Sequence, residues 1–155
     1  GSQAREIVPA WAVEAAVKQF KLADRVELTG FRMDVGDILG GLSVFASSSI
    51  QEGQPLALLE AMAWGLPCVV TDVGAVAATL QDGVEGQIVE PGNPSALAAA
   101  LAGYLQNPER ANAAGLAARL RVEREFSSSA VALRHLDDYR SCLRRKGLLA
   151  GESVA

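Results

Sequence analysis

The chain has 155 residues, of which half are hydrophobic and 21% charged, with a formal net charge of −4. That length suits one domain with a sizeable core, and the composition excludes a disordered polyelectrolyte and argues against a general nucleic-acid binder, which would carry a basic face. Two well-separated cysteines, Cys68 and Cys142, and a single histidine, His135, give neither a disulfide framework nor a His-based metal site, and no apolar run reaches membrane-spanning length, so the expected compartment is the cytoplasm.

Aromatics are few and alanines many, which predicts a core of closely packed Leu, Val and Ala. The helical spacing of Val13, Ala16, Val17 and Phe20 predicts a helix over 12–20. Alternation over Arg25–Thr29, ending at Gly30, predicts a short strand. A short helix is expected over Asp34–Leu42, with Asp34 as its cap. Ser43–Ala46 has the compact apolar form of a buried parallel strand. After the polar run Ser47-Ser48-Ser49, a helix is expected over Pro55–Trp64, with proline in its first turn and Gly65 past its end. Pro67–Thr71 reads as a buried strand, Ala75–Leu80 as a short helix, Asp82-Gly83 as a turn and Gln87–Val89 as a strand. Three helices follow, over Pro94–Leu105, Pro108–Phe126 and Ser128–Arg145. This alternation predicts an α/β fold, a Rossmann-like parallel sheet with flanking helices. Ligands bind such sheets at the carboxyl ends of the strands, here the loops after Thr29, Ala46 and Thr71.

The stretch from Glu52 to Pro67 is the most informative. A loop containing Gly53 leads through Pro55 into a helix directly after a buried strand. The first turn of that helix offers N–H groups with no intrahelical partner and a dipole that favours anions, which suits a diphosphate. Gly53 permits close backbone approach. Glu60 sits among Leu58, Leu59, Ala61, Met62 and Ala63, and a carboxylate in so apolar a segment is expected to need a partner. Its two oxygens suit a vicinal diol. The other reading, a solvated carboxylate on a surface helix, stays open on composition alone.

Glu52 and Glu60, with seven residues between them, resemble the E-x7-E signature of retaining glycosyltransferases of family 4, which have the two-domain GT-B fold. The likeness continues upstream through Arg25–Phe31, Asp34–Phe45 and Ser49. Downstream it runs through Glu60–Gly74, Asp82–Gly92 and Phe126-Ser127, in the family's order. It implies that the chain, residues 1–155, is a partial C-terminal nucleotide-sugar-binding domain of a GT-B enzyme. The activity implied is transfer of a sugar from a nucleotide-sugar to an acceptor hydroxyl with retention. Carried over by position, Glu52 is the catalytic residue, facing the transferred sugar, and Glu60 holds the ribose. Ser49, which precedes the first glutamate in the same loop, and Pro55, at the helix start, are counted among the donor-binding residues. The amides of Gly53, Gln54, Leu56 and Ala57 face sugar and diphosphate, Pro55 having no N–H to give. Gly30, Phe31 and Arg32 lie by the base. No metal and no cofactor is implied beyond the UDP- or GDP-linked donor.

Gln54 stands where the family often has an aromatic, and Ala75 where a second glycine commonly follows Gly74. The family's Arg/Lys loop and its amino-terminal acceptor domain have no counterpart in these residues, so the chain by itself is expected to be inactive or nearly so. Partner expectations are the N-terminal GT-B domain, a homodimer through an open sheet edge, and peripheral membrane association of the full enzyme, with no nucleic acid. Other features read as structural. His135 is a surface or packing residue, Trp64 core, Cys68 a small hydrophobe, and Arg144-Arg145-Lys146 a solvated helix end. The last helix is expected to leave an apolar side exposed. A non-catalytic nucleotide-sugar-binding or interaction module is the alternative function. An epimerase of the same architecture fits less well, since it lacks this helix signature.

Overall fold

A computed structural model describes residues 10–53 and 55–148. These residues divide into two compact units, one ending at Val35 and the other starting at Gly36.

In the first unit, α1 (Ala10–Gln19) forms close to the expected helix. It closes through Lys21, whose φ is 55°. The Lys21 amide donates to the Lys18 carbonyl and the Leu22 amide to that of Val17, the paired bonds of a Schellman stop with lysine in place of the usual glycine. The strand expected over Arg25–Thr29 is absent. The amides of Arg25 and Val26 both turn back to the Leu22 carbonyl, and no residue of the segment joins a ladder. Alternation marks a strand only where a neighbouring backbone accepts its hydrogen bonds, and here Val26 and Leu28 are exposed instead. The cap expected at Asp34 also differs. Its carboxylate is taken by Arg32, whose Nε donates to Oδ1 at 2.8 Å. That bond holds the Asp34 carboxyl below its ordinary range.

The second unit contains α2 (Val35–Gly40, whose first residue belongs to the first unit), β1 (Phe45–Ser47), α3 (Leu56–Ala63), β2 (Cys68–Thr71), α4 (Val76–Thr79), β3 (Gly86–Val89), α5 (Pro94–Leu105), α6 (Pro108–Arg121) and α7 (Ser128–Arg145). One π-helical turn, Val122–Phe126, joins α6 to α7, so the single helix expected over 108–126 ends in a widened turn. The three strands are parallel in the order β1-β2-β3, with Phe45 opposite Cys68 and Cys68 opposite Gly86. β1 begins two residues later than expected, where the Phe45 amide first meets the Pro67 carbonyl. Local punctuation explains the helix starts. Asn93 and Asn107 each precede a proline, and their side chains accept from the amides of Ala96 and Arg110, both at 3.0 Å; each such cap stabilises by about 1 kcal/mol.

β2 is buried at every position, as a central parallel strand should be. Cys68 and Val70 face a layer with Leu58, Met62 and Leu80, whereas Val69 faces the opposite layer with Ala100 and Tyr104. Helices therefore cover both faces of the sheet. Each fully buried Leu, Val or Met side chain contributes about 1.5–3 kcal/mol relative to exposure. α6 serves both layers through Ala111, Ala114 and Ala118, small residues at helical spacing that bring its backbone close. Glu85 is buried and accepts from the Gln81 amide at 2.5 Å. Arg121 lies 3.5 Å from Glu85 Oε1 and donates to the Ala78 carbonyl at 3.2 Å, tying the end of α6 to the α4–β3 connection.

Trp64 is not core. It is 52% exposed, because it caps α3 on the outward side, with its ring against α2 where Gly36 and Gly40 leave room. Cys68 is fully buried and its thiol donates to the Leu66 carbonyl at 3.3 Å. Burial pushes that thiol from 9.0 up to about 12. Between those values the unfolded chain has lost the proton and the folded chain keeps it, so stability is full below pH 9 and falls as pH rises. Denaturant titrations from pH 9 to 11 should show a shallower loss for Cys68→Ala than for the natural chain. Equal slopes would contradict the assignment. α7 has no buried residue and exposes Leu133, Leu136 and Tyr139, as expected, and His135 is exposed.

Candidate functional site

The carboxyl ends of β1 and β2 lie side by side, Ser47 opposite Val70, and the loops that leave them hold each other. From β1 the chain runs through Ser49 and Glu52 into α3. From β2 it runs through Asp72 to Gly74. The Ala75 amide donates to the Gly53 carbonyl at 3.2 Å. Gly74, at φ 56°, lets its backbone lie against the Glu52 and Gly53 carbonyls, leaving no room for a side chain. Ala75, at φ −92°, needs no glycine, so that departure from the family pattern is without strain.

Glu52 is half-buried. Its Oε1 accepts from the Ser49 hydroxyl at 2.7 Å, and Ser49 lies 3.2 Å from the Ser47 hydroxyl. The buried Thr71 donates its hydroxyl to the Ser49 carbonyl at 2.5 Å. Glu52 borders a cavity of about 70 Å³ lined also by Ser47, Pro55, Leu56, Ala57 and Thr71. At about 30 Å³ per water, this is room for a hydroxyl cluster or one phosphoryl group, well short of a whole nucleotide-sugar. The residues lining it include no Lys or Arg. α3 starts at this cavity with Pro55 as N-cap and no side-chain cap, so its first-turn amides have no intrahelical acceptor. Its far end is closed by a Schellman motif at Gly65, φ 73°, with Gly65 donating to the Met62 carbonyl and Leu66 to that of Ala61.

Glu60 is exposed, so its apolar neighbours in sequence leave it open to solvent, the reading that composition alone had left open. The helix turns Leu58, Ala61 and Met62 inward, and Leu56, Glu60 and Trp64, four apart, outward. The structure thus brings Glu52, Pro55, Leu56 and Ala57 to one cavity, holds Ser49 behind Glu52 through its hydroxyl, keeps Gly53 in the loop between Glu52 and α3, and puts Glu60 on the outer stripe of the same helix. Gly30, Phe31 and Arg32 belong to the other unit; Phe31 is 91% exposed and Arg32 pairs with Asp34. Gln54 lies outside the described residues. Sequence reasoning missed Ser47 and Thr71, whose hydroxyls close the network around Glu52. Their signal was positional, one hydroxyl residue ending each of two adjacent parallel strands. Among the described residues no cluster of three or more His, Cys, Asp or Glu could hold a metal, and no helix is long and apolar enough to cross a membrane.

The model of a protein family described as "Glycosyl transferases group 1" matches residues 5–107. The chain belongs to this family. Among its glycosyltransferase relatives, the amylovoran biosynthesis glycosyltransferase AmsK of Erwinia amylovora is 34% identical over 132 residues, covering 80% of this chain and 32% of AmsK. The N-acetyl-alpha-D-glucosaminyl L-malate synthase of Bacillus anthracis is 31% identical over 128 residues, covering 83% and 34%. The solved structure of sucrose-phosphate synthase from Thermosynechococcus elongatus superposes with a TM-score of 0.78 at 30% identity, over 86% of this chain and 34% of that one. The chain spans about a third of the length of the glycosyltransferases it matches. The parallel sheet with flanking helices is the Rossmann-like architecture of GT-B glycosyltransferases.

Proposed function

We propose that this chain is the donor-binding domain of a retaining glycosyltransferase that takes its sugar from a UDP- or GDP-linked donor. The observation that carries the reading is the placement of Glu52 at the carboxyl end of β1, beside the open first turn of α3 and one cavity shared by both. In this reading the donor diphosphate rests on the amides of Leu56 and Ala57, where the helix dipole favours negative charge. Glu52 accepts a hydrogen bond from a hydroxyl of the transferred sugar. Glu60, outward on the same helix, accepts from both hydroxyls of the ribose. The sugar's bond to the diphosphate breaks, a bond to an acceptor hydroxyl oxygen forms, and the proton of that hydroxyl passes to the leaving diphosphate oxygen. The leaving diphosphate carries its charge away, and with no Lys or Arg lining the cavity the domain alone should transfer sugar slowly. The reading needs no metal and places the reaction in the cytoplasm, with Cys68 and Cys142 free.

Calorimetric titration with UDP-glucose and GDP-mannose tests it. One of the two should bind, and Glu60→Ala should weaken that binding about ten- to a hundredfold, the worth of charged hydrogen bonds to a diol. Binding untouched by Glu60→Ala and Glu52→Ala would refute the assignment.

A second reading is a non-catalytic module that pairs with another chain. It is favoured by β1, which among the described residues pairs on one side only, with β2, leaving an edge on which a second copy could add a strand. Concentration-dependent dimerisation without nucleotide-sugar binding would support this reading over the first.

A further inference from the structure

We propose that Ser49 and Thr71 are positioning residues for Glu52: Thr71 fixes the loop backbone from the neighbouring strand, and Ser49 passes that constraint to the carboxylate. The inference rests on the proposed role of Glu52 for its functional meaning, but its geometry stands without a ligand. Thr71 ends β2, is 3% exposed, and spends its hydroxyl hydrogen on the Ser49 carbonyl, 22 residues earlier in the chain. A buried strand position would ordinarily be filled by valine, and Val69 and Val70 precede it. The hydroxyl is therefore explained by its bond, since an unbonded one at this depth would cost stability.

Ser49 is then held at both ends. Its carbonyl is bonded by Thr71, and its side chain donates to Glu52 Oε1 at 2.7 Å, with Ser47 3.2 Å from the same hydroxyl. A hydroxyl has one hydrogen. If Ser49 gives it to the carboxylate, the Ser47–Ser49 contact runs from Ser47 as donor to Ser49 as acceptor. The chain of donors then points one way, Ser47 to Ser49 to Glu52. Oε2, the oxygen outside this chain of donors, is then assigned to a sugar hydroxyl. Ser49 accordingly acts through Glu52, in place of the direct donor contact that the sequence suggested.

The test reads the carboxylate directly, in the ligand-free chain with 13C-labelled glutamate. The Glu52 carboxyl resonance, assigned by its loss in Glu52→Gln, should be displaced in Ser49→Ala and also in Thr71→Val, which keeps shape and removes only the hydroxyl. Ser49→Thr and Thr71→Ser should restore it. Ser49 lies in a half-buried loop, so Ser49→Ala decides the matter even if Thr71→Val does not fold. A resonance unmoved in folded Ser49→Ala, or displaced equally by Ser49→Ala and Ser49→Thr, overturns the proposal. If the resonance responds as expected but no nucleotide-sugar binds, the positioning network stands and only the donor-site reading falls.

Discussion

Gly115→Ala is expected to lower the unfolding free energy by about 3 kcal/mol, although alanine is the better helix former. Position 115 is interior to α6, where replacing glycine by alanine alone would stabilise by about 1 kcal/mol. The opposing effect is steric and larger. A methyl there overlaps the carbonyl oxygen of Gly65, with the Gly65 carbonyl carbon at 2.9 Å and the Pro67 nitrogen at 3.3 Å. These are backbone atoms of the turn between α3 and β2, which the Schellman bonds already hold, so neither side can yield cheaply. α6 would have to lift, loosening Ala111, Ala114 and Ala118 from both layers of the core. Overpacking of this kind typically costs 1–3 kcal/mol, and more where backbone must move. Gly103→Ala in α5 is the matched comparison, since its methyl meets only the flexible Arg110 guanidinium at 3.5 Å. Urea denaturation should show Gly103→Ala at or slightly above the natural stability and Gly115→Ala far below it. Equal midpoints for the two variants would refute the packing account.

What could be read from the sequence divides along a physical line. The helices beginning at Pro94 and Pro108 and the stop at Gly65 are specified by neighbouring residues, through caps, prolines and a left-handed glycine, and they form where expected. The strand over Arg25–Thr29 depends on a partner distant in sequence, and its local alternation carried no information about whether one is present. Glu60 shows a second limit. Apolar neighbours suggested a carboxylate in need of a partner, but a helix sorts residues by angle, and four-residue spacing from Leu56 to Trp64 turns Glu60 outward. At the site, Glu52, Gly53 and the α3 start were legible through their order along the chain. Thr71 was not, because its meeting with Ser49 follows from the register of two strands more than twenty residues apart, and Ser47, only two residues from Ser49, gained meaning only once that bond fixed the loop.

The second large effect is expected at Gly74, where fold and site meet. Gly74→Ala would place a methyl on a residue at φ 56°, which costs an L-residue roughly 1–2 kcal/mol before any contact is counted. The methyl would also overlap the Glu52 carbonyl oxygen and lie 2.9 Å from both the Glu52 carbonyl carbon and the Gly53 oxygen. The β2 loop is braced by the amide of Ala75 on the Gly53 carbonyl, so the substitution pushes on the segment that carries Glu52 into α3. Stability should fall by about 2–3 kcal/mol. Affinity for the nucleotide-sugar should drop on the order of a hundredfold, because displacing the loop moves Glu52 and the mouth of α3 together. Gly83 isolates the contact from the backbone conformation. Its φ is 75° and a methyl there meets nothing within 4 Å, so Gly83→Ala should carry the conformational cost alone and bind donor as the natural chain does. Denaturation and calorimetry on the two variants decide it. If Gly74→Ala matches Gly83→Ala in both, the β2 loop does not brace the Glu52 segment, and the coupling between sheet register and donor site is wrong.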